Sequence, residues 1–173
     1  MLKKLCYTVK RMNLWERVAA VSEKIVQFCT DCVEQTEELA SRLARGFGGG
    51  VIAMKGDLGA GKTAFVRGFA RGLGYDGEVA SPTFAIVHEY VGGRLPLYHF
   101  DMYRVDGWDD LYSTGYFEYM DTSCVMAVEW SENIAGALPE DRLEVEIRRT
   151  DDENGRTVTL TCVGGMKIED IGN

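Results

Sequence analysis

An eight-residue stretch, Gly56–Thr63 (GDLGAGKT), constrains this chain more than any other feature, because it satisfies the pattern G-x-x-x-x-G-K-[ST] in full. Glycines let a backbone turn through conformations that are costly for other residues, so that successive N–H groups can surround an anion. A helix that begins at about Gly61 would add the partial positive charge of its N-terminus. In such loops the lysine, here Lys62, reaches the β- and γ-phosphates, and the hydroxyl of Thr63 binds Mg²⁺. The stretch therefore predicts a loop that holds the phosphates of a nucleotide.

The residues on either side of this loop supply the context that the motif requires. Val51–Met54 is a short, continuous apolar run, which is typical of a strand buried on both faces. Gly61–Gly72 has the spacing of an amphipathic helix. Gly68 and Gly72 each cost about 1 kcal/mol inside a helix relative to alanine, so we expect another element to approach that face closely. The alternative, a glycine-rich turn in which Lys62 is only solvated, is disfavoured by this strand and helix.

The remaining elements follow from the same periodicities. Asp31, three residues before Glu34, predicts the N-cap of a helix that ends at Gly46. A further helix, Asp109–Asp121, is interrupted by Gly115. The predicted strands are Ile25–Cys29, Val51–Met54, Ala85–Val91, Leu95–Phe100, Cys124–Val128 and a closing hairpin of Arg142–Arg149 and Arg156–Val163. This order predicts an α/β fold, a P-loop NTPase-like mixed β-sheet flanked by helices, with a C-terminal β-hairpin.

The length of 173 residues favours one compact domain. We expect residues 22–173 to form a single P-loop ATPase domain. Residues 1–21 are interpreted as an N-terminal extension of unknown role, and a helix is expected from about Leu14 to Ser22.

The charge balance limits what this protein binds. The chain has 19 Lys and Arg residues against 27 Asp and Glu residues, a formal net charge of −8. A protein that wraps nucleic acid by itself needs a basic surface, so that function is disfavoured. No run approaches the roughly 20 apolar residues of a membrane span, and no signal peptide is recognisable. The five cysteines have no disulfide-scaffold spacing, so we expect reduced thiols and a cytoplasmic protein.

Acidic residues at the ends of predicted strands are candidates for the metal. A triphosphate site needs a second acid beside the loop, and Glu129 directly follows a buried apolar strand. A carboxylate there is costly unless it is paired or metal-bound, so a salt bridge or contact with water is the alternative interpretation. His99, Asp101 and Tyr103 alternate along one extended segment and should project to one face. Asp101 is a candidate for binding Mg²⁺ or orienting the attacking water, whereas His99 is equally well explained as a packing residue.

Three further positions have both a functional and a structural interpretation. Thr83, in the segment Ser81-Pro82-Thr83-Phe84, could sense a γ-phosphate and its metal or cap the next element. Trp130 could border the nucleotide or simply pack. Arg104 could meet phosphate or pair with an acid such as Asp106.

Cys29 and Cys32 form a single C-x-x-C pair, without the second pair that a zinc finger would have. Two reduced cysteines at a strand end are the favoured interpretation, and a redox or zinc role is the alternative.

Four motifs in order carry a resemblance to a known family. The phosphate loop is followed by Ser-Pro-Thr-Phe at 81–84, by His-Phe-Asp-Met-Tyr-Arg at 99–104 and by Glu-Trp at 129–130. This series resembles the TsaE (YjeE) family, P-loop ATPases of tRNA threonylcarbamoyladenosine (t6A) biosynthesis, over roughly residues 25–163. The resemblance implies an ATPase that acts with TsaD and TsaB, which modify adenosine 37 of tRNAs, and supports their turnover without transferring the threonylcarbamoyl group itself. It implies contact with tRNA only through that complex, and no membrane.

The resemblance also implies roles for individual residues. The cofactors would be ATP and Mg²⁺, with Lys62 on phosphate, and with Asp101 and Thr83 at the γ-phosphate. It implies catalytic roles for Lys62, Thr83, Asp101 and Glu129, and a metal site at Thr63, Glu129 and Asp101. Residues 32–36 would approach the adenine. The nucleotide-binding residues would be Asp57, Leu58, Gly59, Ala60, Gly61, Lys62, Thr63 and Trp130.

Two alternatives remain open at the level of sequence. One is a nucleotide-gated interaction module, in which ATP or ADP occupancy matters more than hydrolysis. The other is a small-molecule P-loop kinase, although no insertion of the size of an acceptor lid follows the phosphate loop. Slow hydrolysis by the isolated protein is expected, because no internal arginine finger is identifiable; Arg67 and Arg71 lie on the helix face opposite its apolar stripe.

Overall fold

The computed structural model describes residues 25–120 and 123–166 of the chain. The strands in these residues are β1 (Ile25–Thr30), β2 (Gly50–Lys55), β3 (Val87–Tyr90), β4 (Leu97–Asp101), β5 (Val125–Glu129), β6 (Arg142–Arg149) and β7 (Arg156–Val163). The helices are α1 (Val33–Gly46), α2 (Lys62–Gly72), α3 (Trp108–Ser113), α4 (Tyr116–Met120) and a 3-10 segment over Ser131–Ala137. The interruption at Gly115 and the bounds of the closing hairpin agree with the prediction.

These strands form one mixed sheet in the order β1-β7-β6-β2-β5-β4-β3. The central strands β6, β2, β5 and β4 are parallel. At one edge β3 pairs antiparallel with β4, and at the other β7 and β1 continue antiparallel from β6. The predicted mixed α/β sheet with a C-terminal hairpin is thus confirmed. The carboxyl ends of these parallel strands lie at the same end of the sheet. The loop that leaves β2 is therefore flanked by the ends of β5 and β6, and the end of β4 lies next to that of β5.

Helices cover both faces of the central strands. Alternate residues of β2 and β5 face two separate cores, which is why these strands read as continuous apolar runs. One core lies under α1 and α2, and the other lies under α3, α4 and the 3-10 segment. β6 and β7 bury only every second residue, because a single layer covers them. The site is therefore built where the sheet is most completely enclosed.

The two glycines inside α2 mark its contact with α1. A Cβ atom on Gly68 would collide with the backbone oxygen of Glu37, and one on Gly72 would collide with the backbone oxygen of Ser41. The close approach expected from sequence is therefore a helix–helix contact. Arg67 and Arg71 lie at its rim and pair with Glu37 at 2.7 and 3.3 Å. The close packing at the two glycines therefore sets the position of α2 against α1, and these ion pairs border it.

The predicted N-cap of α1 is wrong by one residue. The helix begins at Val33, with Cys32 in the cap position and no side-chain cap hydrogen bond. Asp31 instead donates its backbone N–H to the side-chain oxygen of Gln35 at 2.9 Å. The chain leaves β1 at Thr30, whose hydroxyl lies 2.8 Å from that of Thr36 in α1.

The helix expected at Leu14–Ser22, and the extension over residues 1–21, lie outside the described residues. Among the helices that are described, none combines the length and the apolar character that crossing a membrane requires.

Candidate phosphate-binding site

The phosphate loop occupies the turn between β2 and α2. Its three glycines, Gly56, Gly59 and Gly61, have φ angles of 144°, 73° and 113°, which side chains rarely tolerate. At Gly56 a Cβ atom would also collide with the backbone oxygen of Ile147 on β6. The motif therefore needs glycine here for two reasons, left-handed backbone and the close passage of a neighbouring strand.

Lys62 lies folded over this loop at the start of α2. Its Nζ donates to the carbonyl oxygens of Gly56 and Asp57 at 2.5 and 3.1 Å, and lies 4.0 Å from the centroid of the Trp130 ring. Burial lowers the pKa of Lys62, and the nearby carboxylates, Glu129 foremost, act in the opposite direction. A buried ammonium whose partners are carbonyl oxygens is well suited to exchange them for phosphate oxygens.

Two acids stand in one row at the carboxyl ends of adjacent strands. In the sheet register Glu129 lies between Met54 and Asp101, and both carboxylates are buried. The Thr63 hydroxyl donates to Oε1 of Glu129 at 2.8 Å. Nε2 of the fully buried His99 lies 2.9 Å from the same oxygen. The sequence suggested Glu129 and Thr63 separately, and in the structure they are joined by a direct hydrogen bond, with His99 as a second partner of Glu129.

Asp101 is held by the Ser81–Phe84 segment. Its Oδ2 accepts the Thr83 hydroxyl at 2.6 Å and that of Ser81 at 3.4 Å. Its Oδ1 accepts the backbone N–H of Tyr103 at 3.0 Å. Two residues beyond this segment, Ile86 has a φ of 69°, an unusual value for a β-branched residue. The structure thus links Thr83 to Asp101 by contact.

The predicted alternation along β4 holds as far as the strand continues. His99 and Asp101 face the phosphate loop, while Phe100 and Met102 belong to the opposite core. Tyr103 lies beyond the strand, mostly exposed, with its ring 5.0 Å from that of Trp130.

Arg104 does not pair with Asp106, the acid that the sequence suggested as its structural partner. Its guanidinium lies over the ring of Phe84, 4.8 Å from the centroid, and not beside Asp106. It therefore packs an exposed ring of the Thr83 segment.

A cavity of about 320 Å³ opens on the other side of the loop. It lies between the start of α1, the loop and the turn of the β6–β7 hairpin, and it includes most of the segment that the resemblance assigns to adenine. Its walls are Cys32, Val33, Glu34, Thr36, Ala60, Gly61, Ala64, Asn154 and Arg156. The contribution of the hairpin is not evident from sequence, because Arg156 is 96 residues from its loop partner Ala60.

Within residues 25–120 and 123–166, no group of three or more His, Cys, Asp or Glu side chains is arranged to hold a metal ion. The Cys29 and Cys32 thiols are free. A site of two carboxylates and a hydroxyl is nevertheless of the kind that Mg²⁺ uses with phosphates, because this ion binds few protein oxygens and completes its shell with phosphate and water.

A glycine-rich loop between a buried strand and a helix, with acids on the neighbouring strand ends, defines a P-loop nucleotide-binding protein. The family model described as "Threonylcarbamoyl adenosine biosynthesis protein TsaE" matches residues 30–158. The chain belongs to the TsaE family.

Individual relatives agree with this assignment. The tRNA threonylcarbamoyladenosine biosynthesis protein TsaE of Bacillus subtilis is 45% identical over 133 residues, 76% of this chain and 82% of the relative. The protein of the same name from Haemophilus influenzae is 42% identical over 71% of this chain and 78% of its own length. A crystal structure of YdiB from Bacillus subtilis superposes with a TM-score of 0.70 at 40% identity, covering 84% of this chain and 90% of that one.

Proposed function

We propose that this protein binds ATP with Mg²⁺ and hydrolyses the ATP as part of t6A formation in tRNA. It acts with TsaD and TsaB and supports their turnover. The observation that carries the proposal is the 2.8 Å contact between Thr63 and Glu129 beside the phosphate loop. It joins the hydroxyl that ends the motif to a buried acid on the neighbouring strand. Phosphoryl transfer from ATP depends mainly on positioning and electrostatics, and these are what this arrangement supplies.

Each part of the site has a task in this proposal. The loop amides and Lys62 hold the β- and γ-phosphates. Thr63 and Glu129, with Asp101 beside them, hold Mg²⁺, which supplies charge neutralisation on the phosphate oxygens when bound. Lys62 exchanges its hydrogen bonds to the loop carbonyl oxygens for hydrogen bonds to phosphate oxygens, which are stronger because both partners are charged.

Asp101 and Thr83 act at the γ-phosphate side. Three donors fix the Asp101 carboxylate, which retains acceptor positions for a water molecule. The proposal gives Asp101 the orientation of that water. The Thr83 hydroxyl donates to the Asp101 carboxylate at 2.6 Å. In this proposal the Ser81–Phe84 segment changes its position when a γ-phosphate is bound, through this contact.

The base is proposed to occupy the cavity beside Cys32 and Thr36. The opening there is large enough for an adenine ring system, and it borders the loop at Ala60 and Gly61. Trp130 does not line this cavity, and its ring lies 4.0 Å from Nζ of Lys62. In this proposal it borders the phosphates and not the base.

Calorimetric titration with ATP and Mg²⁺ tests the binding step. The native protein is expected to bind, and Lys62→Ala is expected to lose at least about a hundredfold in affinity, since a buried charge-assisted contact is removed. Lys55→Ala is the matched control, because Lys55 directly precedes the loop but its Nζ is paired with Glu144 of β6 at 3.3 Å. Absence of ATP binding by the native protein would refute the proposal.

Turnover separates the proposed ATPase from its alternatives. Phosphate release is expected to be slow for the isolated protein and faster with TsaD–TsaB, because Arg67 and Arg71 are committed to Glu37 and do not serve the γ-phosphate. Dependence on an added small acceptor would indicate a kinase. Glu129→Ala protein that still supports t6A formation without hydrolysis would indicate a nucleotide-gated module.

A further inference from the structure

Two arginines of the C-terminal hairpin contact the outer side of the phosphate loop. Arg149 ends β6 and Arg156 begins β7, and the two are direct partners in the hairpin register. Nη2 of Arg149 donates to the carbonyl oxygen of Leu58 at 3.2 Å. Nε of Arg156 donates to the carbonyl oxygen of Ala60 at 2.8 Å. Alternate carbonyls of the loop are thus held from one direction by one hairpin.

The geometry of the peptide bond gives these contacts a consequence. In a planar trans peptide the C=O and the following N–H point in opposite directions. An arginine that fixes the Leu58 carbonyl therefore directs the N–H of Gly59 away from itself, and one that fixes the Ala60 carbonyl does the same for Gly61. These amides belong to the series that the motif uses to surround phosphate.

We propose that Arg149 and Arg156, here called the hairpin clamp, are positioning residues that hold the loop amides ready for the nucleotide phosphates. The inference rests on the proposed ATP binding and extends the site to the C-terminal hairpin. Holding the amides in place before the ligand arrives lowers the ordering cost of binding. The two guanidinium groups also add positive potential beside the anion, without contacting the reacting atoms.

Gly59 is part of the same arrangement. A Cβ atom at this position would lie 2.6 Å from Nη2 of Arg149. The absence of a side chain lets the guanidinium reach the loop backbone. Arg156 is further fixed by donating to the carbonyl oxygens of Glu153 and Gly155 at 3.0 and 2.7 Å, so the hairpin turn and the loop are joined through one side chain.

Arg156 also lines the proposed base cavity, and a direct contact with the base is the competing explanation. The two explanations differ for a ligand that has phosphates but no base. If the loop amides lose their positions, the affinity for inorganic tripolyphosphate should fall as much as the affinity for ATP. If only a contact with the base is lost, the affinity for tripolyphosphate should not change.

The experiment compares ATP and tripolyphosphate binding, each with Mg²⁺, by calorimetry. Arg149→Gln and Arg156→Gln are each expected to weaken both ligands by about tenfold, the scale of one charge-assisted hydrogen bond. Arg148→Gln is the matched control, because Arg148 is exposed on the same hairpin and pairs with Glu146 at 2.6 Å. Steady-state assays should show KM raised by the same factor with kcat unchanged, since no reacting atom is touched.

Arg149 is exposed and makes one loop contact, so Arg149→Gln carries the test even if Arg156→Gln fails to fold. Unchanged affinities in the Arg149 variant would overturn the clamp while leaving ATP binding intact. Loss of ATP affinity with tripolyphosphate binding retained would also overturn it, in favour of a base contact. A native protein that binds no ATP would overturn the proposed function and the clamp together.

Discussion

Glu129 is a buried carboxylate with two partners on one of its oxygens, Thr63 and His99. Removing a carboxylate from water is costly unless its lone pairs are satisfied, and these two contacts supply hydrogen-bond partners for one of its oxygens. His99 is itself fully buried, and its Nδ1 has no hydrogen-bond partner among the described residues. The hydrogen bond to Glu129 is thus the one that accounts for the position of the His99 ring. We infer that His99 is a positioning residue for this acid.

Replacing His99 tests that role. His99→Leu is expected to lower Mg²⁺-dependent ATP hydrolysis by about tenfold, because Glu129 loses one of the two groups that orient it. His99→Gln should retain most of the activity, since a glutamine side-chain amide can donate in the direction of Nε2. Binding of ATP measured without Mg²⁺ should be the same in both variants. Equal loss of activity in the two variants would contradict the role, as would an equal loss of Mg²⁺-free binding.

At the scale of elements, the contact of α1 with α2 depends on two residues that lack side chains. Gly68→Ala places a methyl group against the backbone of Glu37, which cannot move without shifting α1. Overpacking of this kind costs about 1–3 kcal/mol, against a gain of about 1 kcal/mol in helix propensity. Because the collision is with backbone, the cost should lie at the upper end of that range, about 2–3 kcal/mol. The free energy of unfolding, measured by urea denaturation, is therefore expected to fall by about 1–2 kcal/mol.

Gly48→Ala is the control for this substitution. A Cβ atom there meets nothing within 4 Å and the residue does not have a positive φ. Its effect should be within about 0.5 kcal/mol. A Gly68→Ala protein as stable as the Gly48→Ala protein would show that the helices can separate at no cost, and the expected clash would be refuted.

The elements also show what local sequence could and could not predict. The strand, loop and helix at 51–72 were predictable because each is encoded by periodicity or by a motif within a few residues. The contacts of Arg149 and Arg156 with the loop join residues 91 and 96 positions apart, and only the sheet order brings them together. The same holds for His99 and Glu129, which become neighbours because β4 and β5 pair in register. The error at Asp31 is local: Cys32 takes the cap position without a side-chain cap hydrogen bond, so no capping signal in the sequence marks it.

For the molecule as a whole, charge decides how it can take part in tRNA chemistry. The net charge is −8. Many basic side chains in the described residues are committed to acids on the same surface. Such pairs join Arg42 with Glu38, Arg71 with Glu37 and Glu38, Lys55 and Arg142 with Glu144, and Arg148 with Glu146. Affinity for a nucleic-acid backbone comes from releasing counterions, which requires basic groups that are not already neutralised.

The isolated protein is therefore expected to show no measurable tRNA binding at physiological salt, about 150 mM, with or without ATP. Fluorescence anisotropy of labelled tRNA, recorded at this salt and at about 50 mM, measures it. Weak binding confined to the lower salt would reflect non-specific attraction and agrees with the expectation, because a steep salt dependence is the mark of phosphate contacts alone. Adding TsaD and TsaB should bring this protein into a tRNA-containing complex through protein contacts. Submicromolar binding by the isolated protein at the higher salt would show that a cationic surface exists, and the indirect role proposed for it would have to be abandoned.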